Sequence, residues 1–205
     1  MLKGRNLQIF SVLFILIILS GCKNPFKTRK SPPPKGQVGT WSTPSKPEIV
    51  LENLMHSYNE KIIENFNLCL SDTFLFSAPE DSIEAANINQ DYLFADWNQN
   101  TEKRVTANIF NIFKQYPDSI DFSLYLNFET ISKGEQTDST EVLFIDYKLS
   151  IWRFKPKQDT IEATGTSTFH LKETGLNWWS IYFWEDRPKS SGGYNWADFK
   201  AEYRY

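Results

Sequence analysis

The sequence predicts an α+β domain carried on an N-terminal export segment and a proline-rich tether. Three observations carry that reading. Apolar residues recur at three- and four-residue spacing between positions 47 and 115, the period of helices packed on a core. From position 119 to 184 the period changes to two, as in half-buried strands. The breaks between those strands are of hairpin length, which makes neighbouring strands antiparallel, and helices followed by consecutive strands are the α+β order.

The chain opens with Lys3 and Arg5, followed by the apolar run from Ile9 to Leu19. A helix rises about 1.5 Å per residue, so this run covers roughly half of a ~30 Å hydrocarbon core. A basic start and a short apolar stretch form a secretory signal peptide, the alternative being an uncleaved anchor helix. Leu19-Ser20-Gly21-Cys22 resembles the lipobox of bacterial lipoproteins. The resemblance implies that residues 1–21 are removed and that Cys22 becomes a lipidated N-terminus, carrying diacylglycerol and an amide-linked chain such as palmitate. Two or three acyl chains anchor stably where one does not. Lys23 is not the aspartate that retains some lipoproteins in the inner membrane, so the outer membrane is favoured for a cell-envelope location.

Residues 22–46 read as a tether, with Ser31-Pro32-Pro33-Pro34, Gly36, Gly39 and Pro44 and no apolar periodicity. Trp41 is its odd member and is expected to dock on the domain. Lys23, Lys27, Arg29, Lys30 and Lys35 cluster beside the lipid, where they solvate the tether or attract anionic headgroups at about 1 kcal/mol per charge. The whole chain carries a net charge of −3, with 25 acidic against 22 basic residues, and removal of Lys3 and Arg5 makes it more acidic. Nucleic acid is therefore not an expected partner, because phosphate binding needs a concentrated basic face. Once Cys22 is lipidated only Cys69 remains, which excludes an intramolecular disulfide. Its apolar setting, Phe66 to Leu70, makes it a small buried hydrophobe, the alternative being a reactive or intermolecular thiol.

The domain spans residues 47–187. Ser45-Lys46-Pro47-Glu48 has the form of a capping box, and Val50, Leu51, Leu54, Met55 and Tyr58 make one helical stripe behind it. Ile62, Ile63, Phe66, Cys69 and Leu70 make a second, shorter helix, and Asp72 to Phe76 a short strand. Residues 77–96 read as irregular and acidic. A helix from about Thr101 to Gln115 turns Val105, Ile109, Ile112 and Phe113 inward. The first long strand carries Ile120, Phe122, Leu124, Leu126 and Phe128, and a turn is expected over Ser132–Asp138. The second carries Leu143, Ile145, Tyr147, Leu149 and Ile151 and breaks at Pro156. The third carries Ile161, Ala163, Gly165, Ser167, Phe169 and Leu171, and the fourth runs from Asn177 to Trp184. Residues 188–205 form a C-terminal extension, with a short helix expected around Trp196–Tyr203.

This order of elements resembles the nuclear transport factor 2-like fold, also called cystatin-like. Glu48–Tyr58, then Asn59-Glu60-Lys61 and Phe66 to Phe76, is similar to that family's paired opening helices and first strand. Trp178-Trp179-Ser180-Ile181-Tyr182-Phe183-Trp184-Glu185-Asp186 is similar to its closing strand. The resemblance implies helices packed on a curved antiparallel sheet that forms a cone. It implies no single activity, because isomerases, dehydratases and non-enzymatic binding modules share the fold.

Enzymes of the family place an aspartate or histidine with a tyrosine inside the cone. The counterparts implied here are Asp146, Tyr147, His170 and Tyr182, with Trp184 as a further pocket residue. Strand phase turns Tyr147 inward and Asp146 outward. It places His170 opposite the more apolar face, with Glu162, Thr164, Thr166 and Thr168. His56 lies off the main stripe of its helix, and Asp91 and Asp96 are too isolated for a calcium loop. No metal or cofactor is expected, since neither zinc-ligand spacing nor a phosphate loop or nucleophile elbow occurs.

With 7 Trp, 9 Tyr and 16 Phe, the chain is rich in aromatics, and its last strand carries them on both faces. Either the terminal helix covers the second face or a partner does. The leading expectation is a non-catalytic binding or scaffold lipoprotein, its cone filled by its own aromatics or by a small apolar ligand. The alternative is a small isomerase or dehydratase with a buried Asp or His as general base. A protein partner or a homodimer through the outer sheet face is a further expectation.

Overall fold

A computed structural model describes residues 39–114, 123–154, 158–175 and 177–205; the export segment, Cys22 and most of the tether lie outside them, as do Gln115, Ile120, Phe122 and Pro156. Among the described residues no helix is long and apolar enough to cross a membrane.

Two helices open the domain, α1 (Pro47–Glu60) and α2 (Ile63–Cys69), and lead into β1 (Leu70–Ser77). Val50, Leu51, Leu54 and Tyr58 of α1 are fully buried, as their spacing requires. The expected capping box at Ser45 does not form. Pro47 is the first helical residue, so Lys46 occupies the capping position and has no acceptor to offer. Residues 77–96 hold more structure than expected: α3 (Pro79–Asn87) and a 3-10 turn, Asp91–Leu93. α3 is short and largely polar, so its inner face is marked only by buried Asp81 and Ala85, a pattern too sparse for periodicity to detect. α4 (Gln99–Lys114) then buries Val105, Ile109, Phe110 and Phe113.

Four strands follow: β2 (Ser123–Gln136), β3 (Thr140–Phe154), β4 (Gln158–Thr174) and β5 (Trp178–Pro188). β2 continues to Gln136, so the turn expected over Ser132–Asp138 is confined to its end, at Thr137–Ser139, with Lys133 opposite Leu143 and Gln136 opposite Glu141. Lys133 pairs with Glu48 of α1 and with Glu141, which explains why a polar stretch stays in the ladder. The sheet order is β1-β5-β4-β3-β2. The four long strands are antiparallel, but β1 joins β5 in parallel, so the sheet is mixed. A purely antiparallel reading missed this because two helices and three strands separate β1 from β5, so no hairpin joins them.

Inward residues of β3 (Leu143, Ile145, Tyr147, Leu149, Ile151) and of β4 (Ala163, Ser167, Phe169, Leu171) line the concave side of the curved sheet and are buried. α1, α2 and α4 close over them. A last helix, α5 (Trp196–Ala201), enters the same space, and Trp196, Ala197, Phe199 and Lys200 are each completely buried. Residues 196–200, part of what the sequence sets apart as an extension, thus supply the middle of the core. Trp41 docks on Trp178, ring centroids 6.3 Å apart, and the Trp179 amide donates to the Pro44 carbonyl at 2.8 Å.

Candidate functional site

A bulge in β5 sets which aromatics enter the cone. Leu171 pairs with Ile181 and His170 with Phe183, so Tyr182 is the extra residue. The phase therefore slips by one, and Ile181, Trp184 and Asp186 all point inward and are buried. Of the five residues anticipated for a pocket, Tyr147 and Trp184 lie inside. Asp146, His170 and Tyr182 lie on the outer face. Asp146 accepts a hydrogen bond from Thr166 Oγ1 at 2.8 Å. His170 packs edge-on against Tyr182 and Phe183, at 5.9 and 5.2 Å, and burial lowers its pKa. The ammonium of Lys172 stands 5.8 Å from the Tyr182 ring centre. The terminal helix covers the inner face of β5, leaving Tyr182 and Phe183 half-buried outside.

The cone holds a carboxylate that strand reading did not single out. Asp186 Oδ1 accepts from Ser167 Oγ at 2.7 Å, while Oδ2 accepts from the Tyr147 hydroxyl at 3.0 Å and the Ala197 amide at 3.0 Å. Ser167 Oγ in turn accepts from Trp184 Nε1 at 3.1 Å, and the Tyr147 oxygen from the Trp196 amide at 2.8 Å. Gly165 makes this possible. It sits opposite Tyr147, and a Cβ there would come within 2.5 Å of the tyrosine oxygen and 2.4 Å of the Arg187 carbonyl. The signal for Asp186 was its spacing of two from Trp184, which puts both on one face.

α5 is aimed at this carboxylate by its cap. Asn195 accepts from the Asp198 amide at 2.8 Å and its own amide donates to Asp198 Oδ2 at 3.2 Å, a complete capping box. Its Nδ2 also donates to Asp81 of α3, at 2.9 and 3.0 Å to the two oxygens. The unpaired amides of the first helical turn, Trp196 and Ala197, then meet Tyr147 and Asp186, where the positive end of a helix favours a negative charge. One turn further, Lys200 forms a fully buried ion pair with Glu102 at 2.8 Å. The ammonium lies 3.2 Å from the Trp184 ring centre and 4.1 Å from that of Phe76, and burial lowers its pKa to about 8 against the pull of Glu102. Glu102 also accepts from Trp97 Nε1 at 2.7 Å. Arg204 fastens the end of the chain by donating to the carbonyls of Leu93 and Ala95.

Among the described residues, the polar groups at the centre of the cone are taken up. The tyrosine, serine and carboxylate are engaged with one another and with α5, and the aromatic rings of Tyr58, Trp184 and Trp196 occupy the remaining space, Trp196 lying 4.5 Å from Trp184 and 4.9 Å from Tyr58. Above α5 a surface groove of about 690 Å3 runs between α3, the 3-10 turn and the terminal helix. Asp81, Glu84, Asp198 and Glu202 line it beside Tyr92, Phe94 and Tyr194, with no lysine or arginine. Among the described residues no group of His, Cys, Asp and Glu could hold a metal. Cys69 is buried, its thiol donates to the Asn65 carbonyl at 3.4 Å, and burial pushes its pKa well up.

Burial also raises the carboxylates around the cap: Asp81 to about 7, Asp186 to about 6, and Asp198 in the same direction. Unfolded, these groups lose their protons near pH 4. Between that pH and about 7 the folded chain binds more protons than the unfolded one, so stability falls as pH rises through this window. A melting series should show the protein more stable at pH 5 than at pH 7.5, by on the order of 2 kcal/mol. Asp81→Asn should flatten part of that slope. A stability that rises with pH across the window would contradict this account of the cap.

No family model matches the sequence, and no curated protein matches it. Solved structures do match its fold. The beta subunit of benzoate 1,2-dioxygenase from Burkholderia mallei superposes with a TM-score of 0.51 at 13% identity, over 69% of this chain and 87% of that one. A protein provisionally assigned as a scytalone dehydratase, from Novosphingobium aromaticivorans, gives a TM-score of 0.52 at 10% identity over 70% of this chain and 81% of that one. A nuclear transport factor 2-like protein of unknown function in nutrient uptake, from Rhodospirillum rubrum, gives 0.50 at 10% identity over 71% of this chain and 99% of that one. At such identities the likeness establishes the fold, which is α+β and nuclear transport factor 2-like. That fold hosts both dehydratase-like enzymes and non-catalytic proteins.

Proposed function

We propose that the chain is a lipid-anchored binding protein of the cell envelope, without catalytic activity, in which the terminal helix permanently occupies the cone. Residues 1–21 would direct export and Cys22 would carry the acyl chains, in the outer rather than the inner membrane. The observation that carries the non-catalytic reading is the plug. The inward carboxylate–tyrosine pair Asp186 and Tyr147 spends acceptors on the Ala197 and Trp196 amides, so a substrate would find neither group free. Ligands or protein partners then meet the outside of the domain.

A second reading is favoured by the same pair. A buried carboxylate near pKa 6 beside a tyrosine is a serviceable acid–base set. It would act as an isomerase or dehydratase site if α5 left the cone. Hydrogen exchange separates the two. A permanent plug gives the Trp196 and Ala197 amides the protection of β3 amides, near the global unfolding limit. Exchange at those two amides a thousandfold faster than in β3 would mean a helix that leaves, and the enzyme reading would take over. For the anchor, Cys22→Ser should move the protein from the membrane to the soluble fraction, and retention on the membrane would sink the lipid assignment.

A further inference from the structure

A second groove lies away from the cone, where β1 and β5 meet the end of α2 and the start of α4, with a volume of about 600 Å3. Its lining is mixed, polar side chains standing beside Leu68, Leu70 and Trp178, where a typical small-molecule pocket has mostly apolar walls. Ser71, Thr73, Thr174 and Ser180 contribute hydroxyls, and Asn67 and Gln99 contribute amides. Two of these groups have no hydrogen-bond partner although they are buried. Ser180 is only 4% exposed and its Oγ is unpaired; Asn67 Oδ1 is unpaired as well. Buried polar atoms rarely go without a partner, and two lining one groove indicate that something else supplies it.

The remaining lining narrows the chemistry. Lys103 and Lys172 give the groove two cations against the single carboxylate of Asp72. Lys172 donates to Thr73 Oγ1 at 2.9 Å, which uses one of its three N–H groups. Trp178 adds a half-buried indole, backed by Trp41. An aromatic face beside hydroxyls, amides and lysines suits a ring that is apolar on its C–H face, hydroxylated at its rim and negatively charged. A bare phosphate is less well served. The first amides of α4, Asn100 and Thr101, already donate to Asn98 Oδ1 at 3.0 and 3.2 Å, so the helix offers no open anion cradle. Asp72, Thr73 and Gln99 also line an adjoining cleft of about 260 Å3, so the surface continues past the length of one ring.

We propose that this groove is a binding site for an acidic oligosaccharide, with Trp178 as the platform, Lys103 and Lys172 as the charge partners, and Ser180 and Asn67 completed by sugar hydroxyls. The site shares no residue with the cone, so its failure would leave the reading of the plug unaffected, and the reverse.

The test is calorimetric titration of the full chain in detergent with trigalacturonate, maltotriose and inorganic phosphate. Trigalacturonate should bind saturably and change tryptophan fluorescence. Lys103→Gln and Lys172→Gln should each weaken it about fivefold, the effect of one partly exposed charge pair. Trp178→Ala should weaken it about tenfold or more. All three variants should retain the parent circular dichroism spectrum. Maltotriose should bind more weakly than trigalacturonate. Three results would overturn the proposal: no saturable binding of trigalacturonate at millimolar concentration, equal affinity in parent and both lysine variants, or inorganic phosphate displacing the trisaccharide at equal concentration. The last would mark a simple anion site.

Discussion

Trp196→Ala should lower the unfolding free energy by about 3 to 5 kcal/mol, the range for truncating a large buried aromatic. Trp196 is completely buried although it comes nine positions before the end of the chain. Its ring meets Trp184, Tyr58 and Tyr147 edge-on, at 4.5, 4.9 and 5.2 Å, and its Nε1 donates to the Tyr58 hydroxyl at 3.0 Å. Truncation leaves a void bordered by three aromatic rings and one hydroxyl, and rings held by strands and α1 cannot collapse into it. In a domain of this size the loss should lower the melting temperature by about 10 °C or more. Millimolar indole should restore part of that loss in the variant and nothing in the parent, because an apolar ligand stabilises only the state with a cavity for it. Trp152→Ala on the exposed outer face is the control, with a cost below about 1 kcal/mol. Equal effects at Trp196 and Trp152 would mean that α5 is not seated in the core.

Lys200→Met should cost about 3 to 5 kcal/mol, the penalty for leaving one member of a buried ion pair alone. Glu102 would keep Trp97 Nε1 as a donor but lose its countercharge in a site that is fully buried. The double variant Lys200→Met/Glu102→Gln should recover most of that stability, because methionine still fills the aromatic box of Trp184, Phe76 and Trp196 and glutamine still accepts from Trp97. A double variant no more stable than Lys200→Met alone would show that the cation over the rings, and not the pairing, holds the helix. Chemical denaturation of the four proteins in the cycle measures the coupling directly.

The strand interiors were legible because one buried face enforces alternation. Leu143 through Ile151 and Ala163 through Leu171 lie on the faces their spacing predicts, and the same alternation placed Tyr147 inside and Asp146 and His170 outside. Three things were not legible. The bulge at Tyr182 shifts the phase of β5 without any glycine to announce it, so the aromatics on both faces could not be sorted. The parallel pairing of β1 with β5 joins segments whose partner choice is decided by tertiary packing, which local pattern does not encode. The centre of the site depends on α5; the helix itself was expected, and its cover of β5 was one of the two alternatives, but its seat inside the cone rests on Asn195 reaching Asp81 of α3. Asp186 was overlooked for a related reason. At the polar end of a strand an aspartate looks solvated, and only the helix lying over it makes it buried.

The position of α5 has a consequence for the order in which the domain can fold. Leu70 must find Ile181, and Trp196 through Lys200 must arrive before the concave side of the sheet is filled. Until they do, α1, α2 and α4 close over a sheet without its central rings, so the cooperative transition waits for α5. Contacts this distant in sequence also form slowly. Docking of the N-terminal helices alone is thereby left without reward, and the domain should gain its structure in one step.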